Sequence, residues 1–195
     1  MPHENLPTVR DVLSAERYAD YLGRKPRPLQ ERYKALSDDQ IVAVYAYTTD
    51  QERNSYADIN GELLGRNIDS GRYSLVQAIN SAINSIEKDR SAEIYYRYTR
   101  LKPEQVERFY TPKRIACHSF FTSVSARNAN FIADDCNVLV RVLPGSAIRP
   151  AYIAGLSNAP YEEEYLYPPN SYFQVLQVIQ LADNAFDIAL LEREL

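Results

Sequence analysis

The feature that most constrains this chain is a change of periodicity near residue 90, where helically spaced apolar residues give way to short, aromatic, partly alternating runs. Helices in one block and strands in the next predict an α+β fold; a doubly wound sheet would alternate them. Residues 7–22 predict a single helix, with Val9, Val12, Leu13 and the stretch 19–22 at helical spacing. Gly23-Arg24-Lys25-Pro26-Arg27-Pro28 ends it, since two prolines and a glycine cannot continue a helix. The basic charge of this stretch reads first as a solvated connector and second as a contact for an acidic partner. Ser37-Asp38-Asp39-Gln40 has the form of a capping box, so a helix begins there and carries Ile41, Val42, Val44 and Tyr45 inward. Helices are also predicted at 54–64 and 73–87, the second with an apolar stripe of Leu75, Val76, Ile79, Ile83 and Ile86. Strands are predicted at 93–101, 118–124, 137–143, 163–167, 172–179 and 185–191, with a short proline-led helix at 103–109. Pro144-Gly145 and Pro168-Pro169-Asn170 are the turn signals between them.

A length of 195 residues suits one domain, residues 1–195, with a mainly helical lobe over 1–90 and a strand-rich core over 91–195. The longest apolar run, 41–47, is too short to span a bilayer, and no ordinary signal peptide opens the chain. A soluble protein is therefore expected, with a monomer as the default. A net charge of -4 argues against bulk binding of nucleic acid, which needs a positive surface. Two cysteines, Cys117 and Cys136, cannot build a disulfide framework; buried thiols in a reducing compartment are favoured over a single bridge. With His3 and His118 the only histidines, no metal-ligand spacing exists and no metal is expected. Cys117-His118 is a poor nucleophile pair, because neighbours in a strand face opposite sides. The 16 tyrosines, with no tryptophan, suit a mixed core and half-exposed strands.

No P-loop, no G-x-G-x-x-G and no G-x-S-x-G occurs. Three spaced features remain: Arg97 within Tyr95-Tyr96-Arg97-Tyr98, the serines of Phe121-Thr122-Ser123-Val124-Ser125, and the carboxylates of Glu162-Glu163-Glu164-Tyr165-Leu166. Each alone has an ordinary explanation: a paired strand arginine, a polar edge strand, a solvated acidic face. Together they suit one chemistry. In an extended strand Glu162 and Glu164 would project to one face. Two carboxylates there suit cleavage of a glycosidic bond through an oxocarbenium-like state, one stabilising the cation and one handling a proton. An arginine offers a planar fork to a pyrophosphate, and a serine can hold a carboxylate in place. A ribose joined to a cationic leaving base, in a molecule with a diphosphate, describes NAD⁺.

The order Arg, Ser-x-Ser, Glu-x-Glu resembles the R-S-E class of mono-ADP-ribosyltransferases, which includes actin-modifying toxins and vertebrate arginine-specific enzymes. Tyr47-Thr48 followed by Ser55-Tyr56-Ala57-Asp58-Ile59-Asn60 is similar to a helical segment of that family. So are the run from Val138 to Ser146, then Ala151-Tyr152-Ile153, and Tyr172-Phe173-Gln174-Val175, giving a resemblance over residues 41–179. It implies a helical N-terminal lobe followed by a mixed β-sheet or sandwich core of the toxin type, with NAD⁺ as co-substrate. By the same resemblance, Arg97 would grip the phosphates and Ser123 would orient Glu164. Glu164 would bind the ribose and stabilise the oxocarbenium ion, and Glu162 would position and deprotonate an acceptor arginine. Arg127 would be a second phosphate contact, while Tyr152 and Tyr161 would lie in the target-recognition loop. The family has glycine where this chain has Tyr98, beside the nicotinamide, and threonine where it has Val124. The activity implied is transfer of ADP-ribose to an arginine of a target protein, in the manner of a secreted or injected bacterial toxin or effector. An NAD⁺ glycohydrolase and a degenerate NAD-binding module of the same fold stay open as alternatives.

Overall fold

A computed structural model describes residues 6–24, 31–49, 54–65, 67–88, 92–128, 136–145 and 150–194. Lys25 to Pro28 of the predicted connector, together with Ser146, lie outside the described residues. The chain forms two compact units, one of Met1–Glu87 with Ala151–Glu162, the other of Lys88–Pro150 with Glu163–Leu195.

In the first unit the predicted helix at 7–22 is two helices, α1 (Val9–Leu13) and α2 (Ala15–Gly23). The break is Ser14, at φ 68, which ends α1 and caps α2 by accepting the Arg17 N–H. A capping box between Thr8 and Asp11 starts α1. Helix α3 (Asp38–Tyr47) begins where its own capping box dictates: Gln40 N–H donates to Ser37 Oγ, and Ser37 N–H to Gln40 Oε1. Burial runs without interruption from Ile41 to Tyr47, further than the predicted inward set, so α3 is wrapped on all sides. Helix α4 (Tyr56–Gly65) follows, then α5 (Ser70–Ser85), whose first turn is capped by Asp69. The predicted stripe on α5 is buried throughout, with Ala82 added to it.

The first unit also holds Ala151–Glu162, which the sequence places in its strand-rich half. It comprises the short strand β5 (Ala151–Tyr152) and two 3-10 turns, Ala154–Leu156 and Pro160–Glu162. Ile153, Ala154 and Leu156 are buried, and Tyr33, itself fully buried, donates its hydroxyl to the Tyr152 carbonyl at 3.1 Å. Gly155 is required by this approach, since a Cβ there would lie 2.6 Å from the Tyr33 ring. Gly155→Ala is expected to lower stability by about 1–3 kcal/mol through overpacking, read as a drop in Tm. An unchanged Tm would mean that the Tyr33 ring moves aside freely.

The second unit runs β1 (Tyr95–Thr99), α6 (Pro103–Phe109), β2 (Ile115–His118), β3 (Thr122–Ser125) and β4 (Val138–Leu143), then β6 (Glu164–Tyr167), β7 (Ser171–Ala182) and β8 (Ala185–Arg193). Its strands lie in the order β2-β7-β8-β4-β1-β3-β6. β4 and β8 pair in parallel and the other described pairs are antiparallel, which makes the sheet mixed. The alternation of Val138, Val140 and Val142 with less buried neighbours gives β4 one apolar face. The predicted strand at 118–124 is divided at Ser119–Phe121, where the chain leaves β7 and joins β6. Cys117 is exposed on β2, Cys136 is half-buried, and neither forms a disulfide, so the expectation of buried thiols is corrected.

Candidate functional site

Strand register determines which of the singled-out residues meet. Ser125 of β3 stands opposite Tyr96 of β1 on one side and Glu164 of β6 on the other. Residues directly opposite across strands share a face and sit about 4.5–5.5 Å apart at Cα, so Tyr96, Ser125 and Glu164 form one row. Ser123 lies on the same face, opposite Leu166 and diagonal to Glu164 at about 7–8 Å. The serine nearest Glu164 is therefore Ser125, with Ser123 one step along. Glu164, the first residue of β6, is only 8% exposed. A carboxylate so buried carries a desolvation cost that polar neighbours must offset.

Val124 points the other way, opposite Tyr165, and is buried. Its apolar side chain replaces a hydroxyl on the face away from the serines, where Tyr95 packs on Tyr165 and Tyr167 with ring centroids 5.0 and 6.2 Å apart. The departure at this position thus leaves the serine face untouched.

Arg97 lies on the opposite face of β1 from Tyr96, paired with Val140 of β4. The described register between β1 and β3 is the single pair Tyr96↔Ser125, so the ladder opens beside the Ser123 carbonyl. Arg97 Nη1 donates to that carbonyl at 2.9 Å. The guanidinium replaces a missing backbone donor, ties β1 to the serine strand, and has further N–H donors in its fork.

Behind the serine strand sits His118, buried at the end of β2. One ring nitrogen bonds Thr122 Oγ1 at 2.9 Å and the other the Tyr110 hydroxyl at 3.2 Å. Its ring stacks on Phe120 at 5.0 Å and tilts on Phe173 at 4.8 Å. Burial, aided by the Arg97 charge, pushes its pKa from 6.5 down to about 3. The sign follows from proton counting. Between those values the unfolded chain binds a proton at His118 and the folded chain does not, so stability falls as pH falls. The expected slope from this residue is up to about 1.4 kcal/mol per pH unit. Urea melts from neutral pH downward should show a shallower dependence in His118→Asn than in the parent; parallel curves would place the pH dependence elsewhere.

Tyr98, where the resemblance places glycine, donates its hydroxyl to Asn128 Oδ1 at 2.8 Å, and burial raises its pKa. It thereby fastens β1 to the turn after the serines. In that turn Arg127 N–H donates to Ser125 Oγ at 3.1 Å, and the Arg127 guanidinium pairs with Glu163 at 2.5 Å. Arg127, expected as a phosphate contact, is thus held by a carboxylate.

Glu162 ends a 3-10 turn in the first unit, Glu163 has a left-handed φ of 49, and the strand begins only at Glu164. The alternation that would put Glu162 and Glu164 on one strand face is therefore absent, because a strand residue cannot adopt that φ. In the first unit Tyr152 is half-buried, its ring beneath the Arg32 guanidinium at 4.8 Å, which makes it an anchor. Tyr161 is 72% exposed and Glu162 is exposed. The sequence marks Ser125 as the second serine of the motif but gives the Glu164-orienting role to Ser123, and it gives no signal for Tyr96, Asn128 or the Arg127–Glu163 pair. A cleft of about 580 Å³ in the second unit, lined by Arg100, Lys102, Gln105 and Asn184 among others, contains none of the predicted residues.

The mixed sheet with its helices has the fold of ADP-ribosyltransferase toxins. Structures with this fold include the type III effector XopAI of Xanthomonas axonopodis pv. citri, at TM-score 0.75 and 18% identity, over 92% of this chain and 78% of that one. Exoenzyme S of Pseudomonas aeruginosa, solved with human 14-3-3 protein beta and carba-NAD, matches at TM-score 0.72 and 20% identity, over 94% and 86%. HopU1 of Pseudomonas syringae pv. tomato, an ADP-ribosyltransferase, matches at TM-score 0.70 and 17% identity, over 98% and 90%. No curated protein matches the sequence. The model of the NAD:arginine ADP-ribosyltransferase family matches residues 12–194, and the chain belongs to that family.

Proposed function

We propose that the protein cleaves the nicotinamide–ribose bond of NAD⁺ and transfers the ADP-ribose to an arginine of a target protein. The observation that carries this reading is the row Tyr96–Ser125–Glu164, with Arg97 locked to the Ser123 carbonyl, in a chain of the arginine ADP-ribosyltransferase family. Glu164 stabilises the positive charge that develops on the ribose as the C1′–N bond breaks and its electron pair leaves with the nicotinamide ring. Ser125 and Ser123 keep its carboxylate oriented. The remaining donors of Arg97 bind the phosphates, and Arg127 joins them by exchanging Glu163 for a phosphate oxygen. Tyr98 closes the nicotinamide side. An arginine acceptor has a pKa above ~12, so attack at C1′ needs a base to take its proton, and Glu162 fills that role. Tyr161 contacts the target protein.

Among the described residues no helix is long and apolar enough to cross a membrane. The likeness to XopAI, a type III effector, supports delivery into another cell as part of this reading. Incubation with labelled NAD⁺ and a cell lysate tests the activity. Label on protein that is released by neutral hydroxylamine, as arginine linkages are, is the expected result. Nicotinamide release without label would favour the glycohydrolase, and no release at all would favour a non-catalytic binding module.

A further inference from the structure

Within the first unit, two hydrogen bonds from the end of α3 meet at one loop residue of the segment 151–162. Asn158 N–H donates to Thr48 Oγ1 at 2.9 Å, and Thr48 Oγ1 in turn donates to the Tyr45 carbonyl at 2.9 Å. The Tyr45 hydroxyl donates to Asn158 Oδ1, again at 2.9 Å. The last turn of α3 therefore grips both the backbone and the side chain of an exposed asparagine. Tyr45 is itself fixed, its ring packed on Tyr21 with centroids 5.0 Å apart. Water would satisfy an exposed asparagine without ordering it, so two protein partners point to a need for a fixed position. Upstream, the segment is held by buried Ile153, Ala154 and Leu156. Downstream, the 3-10 turn Pro160–Glu162 has no buried residue, and the clamp lies two residues before it.

We propose that Tyr45, Thr48 and Asn158 form a clamp that positions the acceptor. The clamp fixes the base of the turn bearing Tyr161 and Glu162, so that a guanidinium acceptor meets a pre-ordered partner. It governs the transfer step and leaves NAD⁺ cleavage, assigned above to Glu164 and Arg97, unaffected. The clamp rests on the arginine-transferase reading. None of its three residues touches the reacting atoms; they act through the turn.

The test uses Tyr45→Phe, Thr48→Val, Asn158→Leu and Asn158→Asp in the full chain, with nicotinamide release into water and ADP-ribosylation of agmatine as two separate assays. Tyr45→Phe, Thr48→Val and Asn158→Leu are expected to raise the KM for agmatine about fivefold, the worth of one ordinary hydrogen bond. The kcat and KM for NAD⁺ hydrolysis should stay within about twofold. Asn158→Asp keeps an acceptor for the Tyr45 hydroxyl and restores the parent KM. Transfer and hydrolysis falling in parallel would overturn the proposal in favour of a merely structural role, and an unchanged agmatine KM would overturn it outright. A parent that releases no nicotinamide, or releases it without modifying agmatine, overturns the transferase reading instead. Amide exchange then judges the clamp: Thr48→Val speeds exchange at Asn158 about fivefold if the clamp holds, and leaves it unchanged if it does not.

Discussion

Glu164→Ala is expected to lower nicotinamide release by about two to three orders of magnitude, whereas Glu162→Ala retains hydrolysis and loses transfer. The two outcomes differ because the two carboxylates occupy different local structures. Glu164 opens β6, buried, with Ser125 opposite and Ser123 diagonal to it. A fixed charge with little water around it acts strongly on a cation that forms nearby, and it needs no reorganisation when the bond breaks. Glu162 ends an exposed 3-10 turn, better suited to an incoming side chain than to the ribose. Glu164→Gln separates charge from shape: the amide fills the space and keeps an acceptor, so its loss of rate measures the charge itself. Nicotinamide release and label on agmatine are followed together in all three variants. Equal activity in both alanine variants and the parent would remove the assignment of roles.

What was legible in the sequence was what local chemistry determines. The Ser37–Gln40 capping box sets the start of α3, and the spacing from Leu75 to Ile86 sets the buried face of α5. Both are decided within a few residues of themselves. Ser14 was not legible, because its φ of 68 interrupts a pattern whose apolar spacing continues across it. The division of the 118–124 strand depends on β7 and β6, which arrive from residues 171–182 and 164–167. The site divides in the same way. The motif residues Arg97, Ser123, Ser125 and Glu164 could be singled out by type and order, yet the register that brings Ser125 rather than Ser123 opposite Glu164 is a long-range property. Glu163 illustrates the limit. Three consecutive glutamates read as strand, and only the ion pair with Arg127 and the left-handed backbone reveal a turn between Glu162 and Glu164. Likewise, nothing local says that Ala151–Glu162 joins the helical unit; the hydroxyls of Tyr33, Tyr45 and Thr48 draw it there.

Arg97 is the residue for which fold and proposed chemistry are hardest to separate, and two substitutions separate them. Arg97→Ala is expected to weaken NAD⁺ binding about 10- to 100-fold, the scale of a lost hydrogen bond to a charged group. It also leaves the Ser123 carbonyl without its 2.9 Å donor, which lowers stability by about 1–3 kcal/mol. Arg97→Lys retains the charge but replaces a planar fork with a point donor. One ammonium can bond the Ser123 carbonyl or reach a phosphate, but it cannot reproduce the geometry that serves both. Arg97→Lys should therefore recover most of the stability lost in Arg97→Ala while binding NAD⁺ nearly as weakly. Calorimetric titration with NAD⁺ and thermal denaturation read the two effects independently. A dissociation constant unchanged in Arg97→Ala would show that the phosphates are held elsewhere, leaving Arg97 as the tie between β1 and β3. Full recovery of binding in Arg97→Lys would show that charge alone suffices, and that the fork serves the strand junction.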